Sequence, residues 1–337
     1  MREANVKLGR ISVGTPFGPV TRLVAAEPAK SRVVDLATAE ILRRQAKGAT
    51  QEAAQRLASA IFPASMAAAI GLGDAFLETA HEAAEARGDD AATAISAVNW
   101  LSAVDPPVIR DGLTFVKHIK QFHERVGVEP AESLLEIPGY FKGTPFTAVG
   151  HDAEVPKPFY TDHFDYELEL GYIVGRVCHN RTPEEARQAL FGVTIFNDFS
   201  ARDIQKIELK IGMGPGKGKD CAFGIGPWIV TMDEIGRLDD LEMAVRINGK
   251  ECSRGNSAET VWSPGELLAY ISISEFVQPG DLIGSGTVGN GSGLEIGRKL
   301  EVGDVLELEV SRIGTLRNKI GPPEEKRWWP EKRKKFW

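Results

Sequence analysis

Two short acidic stretches contain the residues whose types and spacing could do chemistry. The first, residues 165–171, reads Asp-Tyr-Glu-Leu-Glu-Leu-Gly, and its acidic and apolar residues alternate as in a half-buried strand. Because side chains alternate between the two faces of a strand, Asp165, Glu167 and Glu169 are predicted to share one face. Like charges at i and i+2 lie about 7 Å apart and repel by about 2 kcal/mol at an effective dielectric near 20. The pattern therefore favours a bound cation, although a solvated edge face would screen the same repulsion.

The second acidic stretch begins about thirty residues later. An apolar strand predicted over 191–196 would deliver Asp198 at its end, and a helix is predicted from Ser200 onward. Arg202 and Gln205, at i and i+3, would lie on one face of that helix. Oxygen ligands from Asp198 and from the two glutamates of the first stretch suit a hard cation such as Mg²⁺ or Ca²⁺.

Length and composition describe a chain that can bury a sizeable core. The chain has 337 residues, 42% of them hydrophobic, and a formal net charge of −7. This acidic balance argues against a general nucleic-acid binder, because neutralising phosphates needs a basic face. Three cysteines lie far apart without a C-x-x-C pair, which suggests neither a disulfide framework nor a thiolate zinc site.

Neither an apolar leader nor a run of eighteen uncharged apolar residues is present in the sequence. We therefore expect a cytoplasmic protein without a membrane partner. The last segment, residues 326–337, is rich in basic and aromatic residues and shows no core periodicity. It could touch RNA or a membrane, but a docked or frayed terminus is the favoured interpretation.

The order of local patterns predicts two unequal domains followed by that tail. Short strands are predicted over residues 5–36 and helices from about residue 37, which makes 1–104 a small N-terminal α/β domain. Residues 105–325 are mostly strand-like and punctuated by proline and glycine. The expected fold class is α+β, mostly β, with a stiff Asp-Pro-Pro connection near the boundary.

The stretch around His118 has two interpretations that the residues alone leave open. Residues 111–114 resemble a helix start, and Phe115 and Ile119 follow with helical spacing. Asp111 would then be a helix N-cap and His118 a satisfied core histidine. In the functional interpretation, Asp111 and His118 belong to the predicted cation site.

Two glycine-rich stretches resemble nucleotide-binding loops only in part. Residues 284–289 match G-x-G-x-x-G, but no helix or βαβ unit is predicted after them, so a dinucleotide site is rejected. Residues 212–219 lack the spacing of a Walker loop, because Asp220 follows Lys219 where Ser or Thr is required. This segment is predicted to be a lysine-bearing loop.

Taken in order, these motifs resemble the fumarylacetoacetate hydrolase superfamily across residues 106 to 321. The matching positions are Asp111 with His118, Tyr140 in Ile-Pro-Gly-Tyr, Glu167 and Glu169, Asn197-Asp198 through Gln205, Lys219, and residues 284–287. At Leu113 the chain departs from fumarylacetoacetase itself, which carries a tyrosine there. The chain is therefore similar to bacterial-type members of the superfamily.

The resemblance implies a mixed β-roll catalytic domain, a homodimer and a divalent cation, Mg²⁺ with Ca²⁺ or Mn²⁺ as alternatives. It implies the site residues as follows: Asp111, Glu167, Glu169 and Asp198 as metal ligands, His118, Glu295 and Lys219 as catalytic residues, and Tyr140, Arg202, Gln205 and Thr287 as substrate-binding residues. Among these, Glu295 is similar in place to the carboxylate that orients the histidine.

The implied activity is hydrolysis of a C–C bond in a 1,3-diketo acid, of the acylpyruvate or fumarylacetoacetate type. The same metal chemistry serves a hydratase, isomerase or decarboxylase of a 2-oxo acid, which is the alternative. A catalytically silent organic-acid-binding protein is the third interpretation, and it would need the metal site without a working base.

Overall fold

The computed structural model describes residues 6–126 and 129–335, without the side chains at positions 122, 123, 125 and 126. Its strands are β1 Lys7–Thr15, β2 Gly18–Glu27, β3 Arg32–Asp35, β4 Ala92–Ala94, β5 Asn99–Trp100, β6 Ile109–Gly112, β7 Tyr140–Gly143, β8 Ala148–Val149, β9 Glu154–Pro156, β10 Phe164–Asp165, β11 Leu168–Val174, β12 Leu190–Asp198, β13 Ser200–Ala201, β14 Phe223–Thr231, β15 Glu242–Ile247, β16 Lys250–Asn256, β17 Leu282–Gly284, β18 Val305–Val310 and β19 Gly314–Gly321. Its α-helices are α1 Leu36–Ala46, α2 Gln51–Ile61, α3 Met66–Ile70, α4 Asp74–Arg87, α5 Val116–Val126, α6 Pro183–Gln188, α7 Arg202–Ile211, α8 Met232–Ile235, α9 Pro264–Ile271 and α10 Gly293–Ile296.

Most of these strands form one mixed sheet that extends from the N-terminal region to the predicted site. Its order is β4-β3-β2-β1-β14-β12-β11-β17-β6-β7, with β5 paired to β1 and β8 paired to β14. Neighbouring strands are antiparallel except for the pairs β17–β6 and β8–β14, which are parallel. A second sheet, in the order β16-β15-β18-β19-β9, completes the α+β fold that the sequence predicts.

The central strands are apolar on both faces because both faces are covered. In β14, Trp228 and Val230 belong to the apolar cluster that includes the second sheet. Ile225 and Ile229 of the same strand belong to the cluster formed with helices α1–α4. The main sheet therefore lies between a layer of helices and a second sheet.

The N-terminal region shares both a sheet and a core with the rest of the chain. Leu8 of β1 pairs with Ile229 of β14, and Phe76 of α4 stacks on Phe191 of β12 with ring centroids 6.2 Å apart. The division of the chain into domains at residue 104 stays a prediction, since strands and apolar contacts cross it.

The acidic strand predicted over residues 165–171 is interrupted in the structure. Asp165 ends β10, which pairs with β13, whereas Glu169 lies on β11, which pairs with β12. Glu167 lies between the two strands and forms an isolated bridge with Ser292. The expectation that three acidic side chains share one face is therefore wrong for Asp165, because the chain changes pairing partner after that residue.

The predicted helix start at Asp111 is also wrong. Asp111 lies on β6, where it pairs with Gly284 of β17 on one side and Phe141 of β7 on the other. The helix begins five residues later, at Val116. Two flanking strands satisfy the backbone of β6, so tertiary pairing overrides the local helix pattern.

The basic tail from Pro322 contains neither helix nor strand within the described residues, and it touches the body of the protein through Trp329. The Trp329 ring stacks on Tyr160 with centroids 5.1 Å apart and meets Phe159 edge-on at 6.1 Å. Its neighbour Trp328 is 73% exposed. These contacts support the docked alternative for the tail. No helix among the described residues combines the length and the apolar character needed to cross a membrane.

Replacing Trp329 by Ala should lower the free energy of unfolding by about 1–2 kcal/mol, because the half-buried indole loses its ring contacts with Tyr160 and Phe159. Trp328→Ala is the matched control, since the same deletion at an exposed position should change stability by less than about 0.5 kcal/mol. Urea denaturation of both variants measures the difference. Equal effects would contradict docking through Trp329.

Candidate active site

Four buried carboxylates meet beside the ends of three strands of the main sheet. Asp111 comes from β6, Glu167 immediately precedes β11, Glu169 lies at the start of β11, and Asp198 ends β12. One oxygen from each of them lies within 4.8 Å of the others. The structure thus brings together all four residues predicted as metal ligands.

A glycine on β17 allows two of these carboxylates to approach each other. Gly284 lies in the ladder between Asp111 of β6 and Gly171 of β11. A Cβ at this position would lie 2.2 Å from Oδ1 of Asp111 and 2.9 Å from Oε2 of Glu169. Any side chain here would displace one or both carboxylates, so the geometry of the cluster depends on this glycine.

Two buried cations balance part of the negative charge. The Lys219 ammonium lies 2.5 Å from Oε2 of Glu167 and 2.5 Å from Oδ2 of Asp198, and it also donates to Ser200 Oγ at 2.8 Å. The Arg202 guanidinium lies 2.8 Å from Oε1 of Glu167. Both cations contact the Glu167 side of the cluster.

These contacts lower the pKa of one of the four carboxyls, whereas the pKa values of the other three are raised. Burial alone would raise the pKa of Glu167, but Arg202 and Lys219 together hold it well below its usual range. Burial raises the pKa of Glu169 well above its usual value, and the adjacent Asp111 raises it further. Burial also raises the pKa of Asp111 and that of Asp198, the latter well above its usual value although Lys219 opposes the shift. Without a bound cation, this part of the cluster therefore favours protonated carboxyls.

The donor set fits a hard divalent cation. Oδ1 of Asp111 and Oδ1 of Asp198 are buried and have no hydrogen-bond partner within the described part of the chain. Unpaired buried carboxylate oxygens are costly, and a cation among them would satisfy them. All four ligand atoms are oxygens, which suits Mg²⁺, Mn²⁺ or Ca²⁺ better than metals that prefer sulfur or nitrogen.

A histidine and a glutamate form a pair beside the cluster. His118, on α5, places Nδ1 at 3.2 Å from Oε1 of Glu295 and Nε2 at 3.9 Å from Oε1 of Glu167. Burial would raise the pKa of Glu295, but the hydrogen bond and the charge of His118 lower it below its usual range. His118 is thus buried and paired, as expected of a satisfied core histidine, but it also lies beside the carboxylate cluster, as the functional interpretation expects.

Helix α10 fixes the position of Glu295. Ser292 is its N-cap and forms a capping box with Glu295, whose Oε2 accepts the backbone N–H and the hydroxyl of Ser292 at 2.9 Å each. The other carboxylate oxygen, Oε1, is the one nearer His118. No helix was predicted after residues 284–289, although Ser-x-x-Glu over 292–295 is a recognisable capping-box pattern.

Asp165 connects the cationic side of the cluster to α10. One of its oxygens lies 2.7 Å from Nε of Arg202, and its carboxylate also accepts the backbone N–H groups of Gly293 and Leu294 at 2.8 and 3.1 Å. The side chain thus holds Arg202 and the first turn of the helix that carries Glu295. Asp165, which was not among the predicted ligands, thus links the two parts of the site.

A cavity of about 430 Å³ opens onto the carboxylates, and its size is typical of small-molecule sites. All of the predicted substrate-binding residues line it, together with Lys219 and His118: Tyr140, Arg202, Gln205 and Thr287. Thr287 also donates to Glu169 at 3.3 Å. Sequence reasoning missed four apolar or aromatic lining residues, namely Ile119, Phe141, Leu209 and Pro215.

A larger groove of about 1110 Å³ lies between β2 and α4 in the N-terminal region. Its acidic and basic groups pair with one another, since Arg32 contacts both Glu27 and Asp89 at 2.5 Å. The groove contains no cluster of metal-ligating or nucleophilic side chains among the residues that line it. We therefore place the candidate active site at the smaller cavity.

Comparisons with known proteins agree with this placement. The model of the fumarylacetoacetate (FAA) hydrolase C-terminal family matches residues 107–321. The 2,4-didehydro-3-deoxy-L-rhamnonate hydrolase of Sphingomonas sp. strain SKA58 is 35% identical over 176 residues, which cover 51% of this chain and 60% of that protein. The oxaloacetate tautomerase YisK of Bacillus subtilis strain 168 is 30% identical over 266 residues, or 77% of this chain and 87% of the relative.

Solved structures show the same fold. The maleylpyruvate hydrolase of Sphingobium sp. SYK-6, in complex with manganese(II) and pyruvate, superposes with a TM-score of 0.67 at 20% identity and covers 94% of this chain and 100% of that one. The match to the family model covers well over half of the chain, and it includes both acidic stretches and the His118–Glu295 pair. This chain therefore belongs to the fumarylacetoacetate hydrolase superfamily.

Proposed function

We propose that this protein is a divalent-metal-dependent hydrolase that cleaves a C–C bond in a 1,3-diketo acid of the acylpyruvate type. The observation that carries the proposal is the pairing of His118, which lines the cavity beside the carboxylate cluster, with Glu295 behind it at 3.2 Å. A protein that only bound organic acids would have no use for an oriented base.

The residues proposed to hold the cation are Asp111, Glu167, Glu169 and Asp198. We propose Mg²⁺ as the resident ion, with Mn²⁺ and Ca²⁺ as alternatives, because the four ligand atoms are oxygens. When bound, the ion would polarise the carbonyl oxygens of the substrate and offset the negative charge that develops on cleavage. The manganese complex of the structurally similar maleylpyruvate hydrolase supports a divalent ion in this fold.

His118 is the proposed general base. Nδ1 faces Glu295, which orients the ring, so Nε2, on the side that faces Glu167, is the nitrogen proposed to act as the base. Nε2 takes a proton from a water molecule whose oxygen attacks the distal carbonyl carbon. The bond between that carbon and the central methylene then breaks, and its electron pair forms the enolate of pyruvate.

The proton held by His118 is returned to the methylene carbon of the enolate. The products are a carboxylic acid and pyruvate, so one water molecule is consumed and no redox partner is needed. Arg202 and Gln205 are proposed to bind the substrate carboxylate, and Lys219 is proposed to balance the charge that develops on the oxygen atoms. The homodimer implied by the family resemblance stays a prediction.

A 2-oxo acid tautomerase or isomerase is the second candidate. Oxaloacetate tautomerase YisK aligns with a larger share of this chain than the rhamnonate hydrolase does, 77% against 51%. Enol–keto conversion needs the same cation to stabilise the enolate, and one group that transfers a proton. It needs no water molecule positioned at a distal carbonyl. Assays of diketone loss and of enol–keto conversion on the same preparation distinguish the two.

Asp198→Asn should weaken divalent cation binding at least about tenfold, because the charge of one ligand is lost. The metal-free protein should keep its stability, because Asn resembles the protonated carboxyl that burial favours at this position. Calorimetric titration with Mn²⁺ measures the affinity, and thermal denaturation without metal measures the stability. Glu259→Gln, at an exposed position outside the cluster, is the control. Unchanged Mn²⁺ affinity in Asp198→Asn would remove this residue from the metal site.

Cation binding should be tighter at pH 8 than at pH 5.5. The pKa values of Glu169 and Asp198 are raised in the folded protein, so their contribution to stability is complete below the unfolded carboxyl pKa of about 4 and is lost as pH rises through the raised values. A bound cation replaces the protons that these groups hold. Glu167, whose pKa is lowered, stays ionised throughout this window and does not change the trend.

The measurement is the rise in melting temperature that a fixed concentration of Mn²⁺ produces at the two pH values. We expect a larger rise at pH 8, and a smaller pH dependence in Asp198→Asn. An equal or larger rise at pH 5.5 would show that protonated carboxyls do not compete with the cation.

His118→Ala should lower kcat for a cleaved acylpyruvate at least about 10²-fold, with Mn²⁺ affinity retained. Glu295→Gln should cause a smaller loss, because the amide keeps the shape of the side chain but orients the imidazole less well. His179→Ala is the control, since this histidine stacks on Phe276 outside the cavity. If both active-site variants convert a 2-oxo acid at nearly the wild-type rate, the hydrolase mechanism fails and the second candidate replaces it.

A further inference from the structure

One face of α7 changes from charged to apolar along the cavity. Arg202, Gln205 and Leu209 follow each other at i, i+3 and i+7, so they share this face, and all three line the cavity. The step from the first to the last is roughly 10 Å along the helix axis. Arg202 is buried against Glu167, whereas Leu209 is 48% exposed. The charged end therefore lies at the carboxylate cluster and the apolar end at the mouth of the cavity.

Apolar side chains from other segments of the chain also line this cavity. Leu113, two residues after Asp111, and Pro215, in the loop after α7, are half-buried and line the same cavity. Ile119, next to His118 on α5, lines it as well. Four apolar side chains from four separate segments thus line the cavity, and Leu209 is the most exposed of them.

The positive charges that line the cavity are already paired. Among the described lining residues, the lysine and arginine side chains are Lys219 and Arg202. Lys219 contacts Glu167 and Asp198, and Arg202 contacts Glu167 and Asp165. A second carboxylate at the mouth would lose its hydration against apolar side chains without gaining a cation.

Glu208, the acidic residue next to Leu209 in the chain, already accepts hydrogen bonds within the protein. Glu208 accepts the backbone N–H groups of Gly216, Lys217 and Gly218 at 3.1, 2.6 and 3.0 Å, which holds the loop that carries Pro215 and Lys219. Its negative charge adds to the unfavourable field that a second substrate carboxylate would meet here.

We infer that the substrate carries a single carboxylate and ends, beyond its distal carbonyl, in an uncharged apolar group that contacts Leu209, and that Leu209 determines this specificity. The inference rests on the proposed function only in placing the carboxylate end of the substrate at the four-carboxylate cluster. It selects acylpyruvates with aliphatic acyl groups over substrates with a carboxylate at each end.

The experiment compares two substrates of similar shape on the full-length protein with Mg²⁺. In 4-methylpentanoylpyruvate the chain ends in an isopropyl group, and in succinylpyruvate a carboxylate takes its place. We expect kcat/KM to favour the isopropyl compound at least about tenfold, because the terminal carboxylate would be desolvated without a partner. Equal values, or a preference for succinylpyruvate, would overturn the inference.

Leu209→Arg should raise kcat/KM for succinylpyruvate about tenfold and lower it for the isopropyl compound, because it supplies the missing cation at the mouth. Ile207→Arg is the matched control. It adds the same charge to the same helix, at a residue that is 57% exposed and lies outside the cavity lining, so the ratio of the two kcat/KM values should not change. A ratio that changes equally in both variants would show a general charge effect and remove Leu209 as the determinant.

Binding measurements keep this inference separate from the hydrolase proposal. The two matching 2-oxo acids that lack the second carbonyl cannot be cleaved, and calorimetry with Mg²⁺ compares their affinities. If neither diketone is cleaved but the isopropyl-ended acid binds more tightly, the hydrolase proposal fails and the inference about the apolar end holds. If the dicarboxylate binds equally well or better, or neither acid binds, the inference is wrong.

Discussion

Mutual repulsion among four buried carboxylates is the constraint on which the rest of the site depends. At separations near 4.8 Å, each ionised pair costs about 3 kcal/mol at an effective dielectric of 20. The fold tolerates this arrangement because paired strands position Asp111, Glu169 and Asp198. Lys219 and Arg202 relieve the repulsion mainly around Glu167, and Asp111 and Glu169 are left facing each other. Negative charge is therefore balanced unevenly within the cluster. A divalent ion would be bound most favourably near Asp111 and Glu169, where no cationic side chain among the described residues makes contact.

The carboxylate cluster and the histidine–glutamate pair are connected through one side chain, Asp165. The Asp165 carboxylate accepts a hydrogen bond from Arg202 and two from backbone N–H groups in the first turn of α10, and α10 positions Glu295. A change in the position of Arg202, which contacts Glu167, would therefore be transmitted to the residue that orients His118. Ionic and backbone contacts on buried atoms make this link short and rigid, so the two parts of the site keep a fixed geometry.

Sequence reasoning was accurate where local signals agree with tertiary structure. The apolar run of β12 was predicted, and this run depends on neighbouring residues alone. Asp111 was assigned to a helix because its own neighbours resemble a helix start, whereas its strand exists only through pairing with β17, which lies about 170 residues later. Leu209 escaped notice because an exposed leucine on an amphipathic helix carries no chemical signal until the cavity beside it is known.

The candidate site itself followed largely from the family resemblance. The spacing of acidic residues along the sequence suggested a cation near Glu167 and Glu169. It could not predict that Glu295 contacts His118, or that Asp165 lies apart from the other acidic residues. Those placements depend on where the chain changes pairing partner, between β10 and β11, and on a four-residue helix. Short elements of this kind leave weak sequence patterns, because few residues define them.

The pairing of β1 with β14 limits where the chain can be shortened without exposing a strand edge. Residues 6–104 give no side chain to the candidate site, yet they cover one edge of a strand that supports β12 and Asp198. A shortened chain beginning at residue 105 would leave backbone N–H and C=O groups of β14 unpaired and would uncover Phe191 and Ile225. Such an edge is a template for association with other chains, so this region acts as a built-in protection against aggregation, and exchanging it between relatives would require its strand edge to be matched as well.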